Sequence, residues 1–83
     1  MQLIMTTPTF NYIVEKHLHI PGADITDTLS AKDIPDWDSM NYLLFIAELE
    51  KSFRVSFTGD EILGANTLGD VKKLLIRQGV RLE

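Results

Sequence analysis

The chain of 83 residues contains no cysteine and no long apolar run. Without cysteine it can form neither a disulfide nor a thiolate metal site, so its fold must depend on a hydrophobic core. No segment approaches the ~20 apolar residues of a membrane span, and the first residues lack the basic start of a signal peptide. We therefore expect a single small soluble domain over residues 1–83, cytoplasmic and monomeric, without membrane insertion.

Acidic charge is concentrated in one stretch of the chain. The formal net charge is -4, and residues 24–38 hold five aspartates against Lys32 alone. Nucleic-acid binding needs a basic stripe to meet the phosphates, so we expect no nucleic-acid partner. The acidic stretch suits a protein partner with a basic docking surface. An ordinary solvated loop is the alternative interpretation.

Helical signals account for most of the chain. The first helix is predicted to start at Thr7-Pro8, since threonine can cap it and proline fits the first helical position. Pro21-Gly22 is predicted to stop it. A long connection follows up to Trp37, and its apolar residues are spaced so that they could pin it to the core. These residues are Ile25, Leu29 and Ile34.

Two further helices are predicted near the end of the chain. Thr58 and Thr67 are each followed three residues later by an acid, which is a capping-box pattern. Gly64 leaves room for one or two turns after Thr58. The stretch "RVSF" alternates like a strand, but no second strand candidate exists to pair with it. The fold class is therefore predicted to be all-α, an antiparallel four-helix bundle with three main helices, one short helix and a long first loop.

The second helix is predicted from Asp38-Ser39 to about Phe53, with Asp38 as its N-cap. Trp37 can pack on Tyr42 as a hydrophobic staple, or else contact a partner. At 100° per residue, one face forms a core stripe: Tyr42, Phe45, Ile46, Leu49 and Phe53. The opposite face carries Met40, Leu44, Ala47, Glu48 and Lys51. Apolar residues on this outward face indicate a docking surface, unless the long loop or the C-terminal tail covers them.

Ser39 could be part of a helix start, a nucleophile or an attachment point. A nucleophilic role lacks the G-x-S-x-G turn, and His17 and His19, the two possible bases, do not share a helix face. We therefore expect no catalytic residue. Asp36 and Asp38 lack the pattern of a calcium loop, so we expect no metal site either. A group attached to Ser39 would project from the positive end of the helix, where a phosphate ester is favoured.

Several quoted stretches together resemble the acyl carrier protein family: "DWDSM", "LLFIAELEKSF", "VSFTGDEI" and "NTLGDVKKLL". The resemblance implies a four-helix bundle that is not an enzyme. It implies that a phosphopantetheinyl transferase joins 4'-phosphopantetheine from coenzyme A to Ser39. The thiol of this arm would hold acyl groups as thioesters in fatty-acid, polyketide or related biosynthesis. The implied partners are acyl-loading, condensing and acyl-transfer enzymes, and the partner-binding residues are Trp37, Asp38, Met40, Leu44 and Glu48.

Departures from the family pattern favour a freestanding carrier for a specialised pathway, such as polyketide, modified-lipid or hybrid peptide assembly. Leu44 stands where an acid is common, Trp37 where a smaller residue is usual, and Asp36 where glycine is usual. One alternative is an aminoacyl, peptidyl or D-alanyl carrier, because Met40 after the serine also occurs in D-alanine carriers. Another is a helical interaction module that binds a partner without a covalent cofactor, through Met40, Leu44 and Trp37.

Overall fold

The computed structural model describes residues 9–82, and this part of the chain is helical. It contains four α-helices and a 3₁₀ turn over Gly22–Asp24. The α-helices are α1 (Phe10–Leu18), α2 (Ser39–Phe53), α3 (Gly59–Gly64) and α4 (Leu68–Arg77). Residues 9–82 form no strand, only an isolated bridge between Ser30 and Thr67. This content of helices without strands in the described range is compatible with the predicted all-α class.

Within this described range, every helix falls short of the length and apolar character that a membrane crossing requires.

Helix α1 begins at Phe10 and is capped by Thr9, whose hydroxyl accepts a hydrogen bond from the Tyr12 N–H at 3.1 Å. The predicted start, Thr7-Pro8, lies outside the described residues. The helix ends before Pro21-Gly22, because His19 adopts a left-handed conformation with φ 58°. The His19 N–H donates to the Glu15 carbonyl at 3.0 Å and closes the last turn.

The core is built mainly from one face each of α1, α2 and α4. Phe10 of α1 meets Phe45 of α2 edge to face, with ring centroids 5.8 Å apart. The predicted core stripe of α2 is buried at Tyr42, Phe45, Ile46 and Leu49, whereas Phe53 is only half-buried. Phe53 is the last residue of α2, directly before the left-handed Arg54, and Phe57 in the next segment is buried instead.

The long connection between α1 and α2 is pinned to the start of α4. Ile34 is fully buried, and Ile25 and Leu29 pack partly buried against the core, as predicted. The Leu29 carbonyl accepts from the Leu68 N–H at 3.0 Å, and the Asp27 carbonyl accepts from the Gly69 N–H at 2.9 Å. These donors belong to the first turn of α4, which has no partners inside the helix. The loop therefore satisfies free N–H groups at the start of α4.

Helices α3 and α4 both begin with the predicted capping boxes. The Thr58 hydroxyl accepts from the Glu61 N–H at 3.1 Å, and Glu61 accepts from the Thr58 N–H at 2.9 Å. Thr67 and Asp70 repeat the arrangement. The N–H of Asn66 first, and then the N–H and hydroxyl of Thr67, lower the pKa of Asp70. The carboxylate is therefore the form that caps α4.

A methyl group added at Gly69 should loosen the attachment of the long loop. A Cβ there would lie 3.0 Å from the Asp27 Cβ and from the Asp27 carbonyl oxygen, whereas a Cβ at Gly64 would meet nothing within 4 Å. We expect Gly69→Ala to be less stable than Gly64→Ala by about 1–3 kcal/mol, the cost of overpacking. Urea unfolding of the two variants measures the difference, and equal stabilities would show that the loop can move away freely.

Candidate functional site

Ser39 is the first residue of α2 and is exposed. Asp38 has an extended backbone, with φ -103° and ψ 178°, and its Oδ1 accepts from the Asn41 N–H at 2.8 Å. Asp38 is therefore the N-cap, as predicted. Because Asp38 satisfies only one of the free N–H groups of the first turn, Ser39 lies at the positive end of a helix of 15 residues.

Two contacts of Asp36 fix the segment before Ser39 in place. Its carbonyl accepts from the Asn41 side-chain amide at 2.9 Å. Its carboxylate lies 2.8 Å from His19 Nδ1, at the end of α1. Asp36 thus connects the end of α1 to the first turn of α2, which contains the exposed Ser39.

Trp37 stacks on Tyr42, with ring centroids 5.4 Å apart and an angle of 17° between the rings. The predicted staple contact is present, and Trp37 remains partly exposed. The Tyr42 hydroxyl donates to the Ile62 carbonyl at 2.7 Å and so ties α2 to α3. Burial, followed by the charge of Asp70, raises the pKa of Tyr42. The hydroxyl therefore stays protonated and able to donate at neutral pH.

The outward face of α2 carries an aliphatic stripe of four exposed side chains: Met40, Leu43, Leu44 and Ala47. Met40 is 72% exposed, Leu43 54% and Leu44 51%. Their spacing of three and four residues places them side by side on one face. Leu43 was not among the residues predicted for this surface, although its position three residues after Met40 was a usable signal. Neither the long loop nor residues 78–82 bury the stripe.

Glu48, predicted to contact partners, binds two basic residues of α1. Its Oε1 lies 2.6 Å from His17 Nε2 and 3.0 Å from Lys16 Nζ, and its side chain is only 19% exposed. The hydrogen bond with His17 is the largest cause that lowers the pKa of Glu48, and Lys16 adds to it. Glu48 is therefore an ionised part of the contact between α1 and α2.

Neither histidine of the described chain contacts the Ser39 hydroxyl. His17 binds Glu48, and His19 binds Asp36. Within residues 9–82, no three histidine, aspartate or glutamate side chains gather as a metal site would require. The two histidine–carboxylate contacts were not predicted, because each joins residues far apart in the sequence.

The chain matches no model of a known protein family and no curated protein. A function for it therefore depends on the arrangement of residues around Ser39.

Removing the Tyr42 hydroxyl should weaken the attachment of α3. Tyr42→Phe leaves the Ile62 carbonyl without its donor, and we expect a loss of about 0.5–1.5 kcal/mol in the free energy of unfolding. Tyr12→Phe is the matched control, since Tyr12 is 54% exposed. Urea unfolding measures both variants, and an equal loss in the control would contradict a specific role for the bond to Ile62.

Glu48→Gln should reduce stability at neutral pH and not in strong acid. The pKa of Glu48 is lower in the folded chain than its ordinary value. Its stabilising contribution is therefore complete above the unfolded pKa, about 4.3, and is lost as pH falls through the folded value. We expect a deficit of about 1–2 kcal/mol at pH 7, typical of a charge-assisted hydrogen bond, that disappears well below pH 4. Urea unfolding across pH, with Glu15→Gln as the exposed control, measures this. A deficit that persists in acid would point to lost packing instead.

Proposed function

We propose that the chain is an acyl carrier protein and that Ser39 is the attachment point of a 4'-phosphopantetheine arm. The observation that carries the proposal is the exposed serine at the capped start of α2, directly beside an exposed aliphatic stripe. The resemblance of the sequence motifs to the acyl carrier protein family supplies the chemistry. The proposal extends to an antiparallel four-helix bundle with a long first loop, and to a monomer.

The residues around Ser39 fit a phosphodiester. The first turn of α2 offers backbone N–H groups and the positive end of the helix dipole, both of which favour a negative group. Asp38 directs one carboxylate oxygen to the Asn41 N–H, so it acts as a cap and leaves the serine side chain exposed. The arm, when attached, supplies a thiol that holds an acyl group as a thioester.

The chain's own residues would position and present the arm. Asp36 and Asp38 fix where α2 begins, and the stack of Trp37 on Tyr42 fixes the loop against the helix. A rigid attachment point keeps the arm directed away from the core. Tethering then raises the local concentration of the cargo at each enzyme that docks. The proposed partners are a phosphopantetheinyl transferase and the loading, condensing and acyl-transfer enzymes of a specialised pathway.

The exposed aliphatic stripe also supports a second candidate, a helical module that binds its partner without a covalent cofactor. An unpartnered apolar face of this kind marks an interaction site whether or not Ser39 is modified. The two candidates differ in what they require of the serine hydroxyl.

Ser39→Ala should abolish modification while leaving the fold intact. Incubation of the wild-type chain with coenzyme A and a broad-specificity phosphopantetheinyl transferase should add one phosphopantetheine mass by intact-mass spectrometry. Ser39→Ala should gain none, because no other residue holds a hydroxyl at the start of α2. Ser56→Ala, which removes another exposed serine, should be modified like the wild type.

Circular dichroism checks that all three proteins remain helical. An unmodified wild type across several transferases would reject the carrier proposal. If Ser39→Ala also retained full biological activity, the module without a cofactor would be favoured.

A further inference from the structure

We propose that the enzymes that act on the Ser39 arm dock on the aliphatic stripe through an apolar surface, and do not read the acids of α2 with a basic one. The inference rests on the proposed carrier function and names the chemistry of its partners. It replaces the expectation from the resemblance that Glu48 is one of the partner-binding residues.

Both acids of α2 are committed to contacts inside the molecule. Glu48 binds Lys16 and His17 of α1, so its charge is already compensated. Glu50 Oε2 accepts from the Phe57 N–H at 2.9 Å and is half-buried. A partner's lysine or arginine would have to compete with these contacts to use either carboxylate. An ion pair between a docking enzyme and either acid would therefore weaken a contact inside the molecule.

The aliphatic stripe is the exposed surface of α2 that continues from the attachment point. Met40 directly follows Ser39, and Leu43, Leu44 and Ala47 extend the same face along the helix. Removing such side chains from water favours association in proportion to the area covered. The stripe is therefore the surface of α2 from which a docking partner gains free energy by burial.

Charges at the two ends of the stripe fit an enzyme that docks in one orientation. Asp38 lies at the Ser39 end, and the exposed Lys51 lies at the other. Four partly exposed side chains cover far less than the ~800 Å² per partner of a standard stable interface. This area suits a transient contact with a visiting enzyme, and it is too small for a stable dimer of two copies of this chain.

The test measures the KM of a broad-specificity phosphopantetheinyl transferase for the full chain. The double variant Leu43→Gln/Leu44→Gln should raise KM by roughly tenfold or more, since it removes the central apolar anchors. The turnover at saturation should change little. Ile76→Gln is the matched control, because Ile76 is an equally exposed aliphatic residue, 56% exposed, on α4. Its KM should equal that of the wild type.

Charge is tested in the same assay. Glu48→Gln should change KM less than twofold. Raising salt from about 0.05 to about 0.5 M should change it less than about threefold, because screening acts on exposed charges and not on apolar contacts. A KM that rises steeply with salt, together with no effect of the double leucine variant, would overturn the inference and leave the carrier function standing. No modification of the wild-type chain would reject both.

Sedimentation of the wild type at the assay concentration tests whether a second copy of the chain occupies the stripe. A monomer is expected. A dimer that the double leucine variant dissociates would show that a second copy covers the stripe, and would overturn the inference.

Discussion

The hydrogen bond from the Asn41 N–H to the Asp38 carboxylate, 2.8 Å long, determines where α2 begins, and the features around Ser39 depend on that position. If the helix began one turn earlier, Ser39 would lie within a helical surface and lose its place at the positive end. Asp36 supports the same start, because its carbonyl accepts from the Asn41 side chain. Asn41 therefore donates a hydrogen bond to each of the two aspartates that flank Trp37.

Helix α2 is apolar on two opposite faces, and only one of them is buried in the core within residues 9–82. The buried face, centred on Phe45, packs against α1 and the rest of the core. Within residues 9–82, the side chains of the aliphatic stripe on the other face remain exposed. A helix with a single buried face would ordinarily be polar on the other. The second apolar face therefore supports the proposal that a partner docks there.

Local features of the fold were predictable from the sequence because each depends on neighbouring residues. The caps at Thr58 and Thr67 were predicted from an acid three positions later, Asp38 was predicted as the N-cap of α2, and the structure has all three caps. The apolar period of α2 likewise predicted which side chains are buried, up to the last turn, where Phe53 is only half-buried. Helix α1 ends at Leu18, shortly before the predicted stop at Pro21-Gly22, because His19 adopts the left-handed conformation, which is uncommon for residues other than glycine.

The contacts that decide what α2 presents were not predictable, because they join residues distant in the sequence. Glu48 meets His17 across 31 positions, and Glu50 meets the Phe57 N–H beyond the end of the helix. From the sequence, Glu48 was predicted to contact a partner, and no role was predicted for Glu50. Only their tertiary partners show that the carboxylates hold α1 and the segment after α2 in place.

These internal contacts explain how a chain with a net charge of -4 can present an apolar site. Asp27 binds Lys72 at 2.8 Å, and Glu48 binds Lys16 and His17, so acids from the loop and from α2 pair with bases of α4 and α1. Among these contacts, the exposed pair of Asp27 with Lys72 adds little stability by itself. The larger effect of these contacts is to fix the helices relative to one another and to remove charge from the sides of α2. What α2 then leaves exposed is the aliphatic stripe, with the Ser39 hydroxyl at one end.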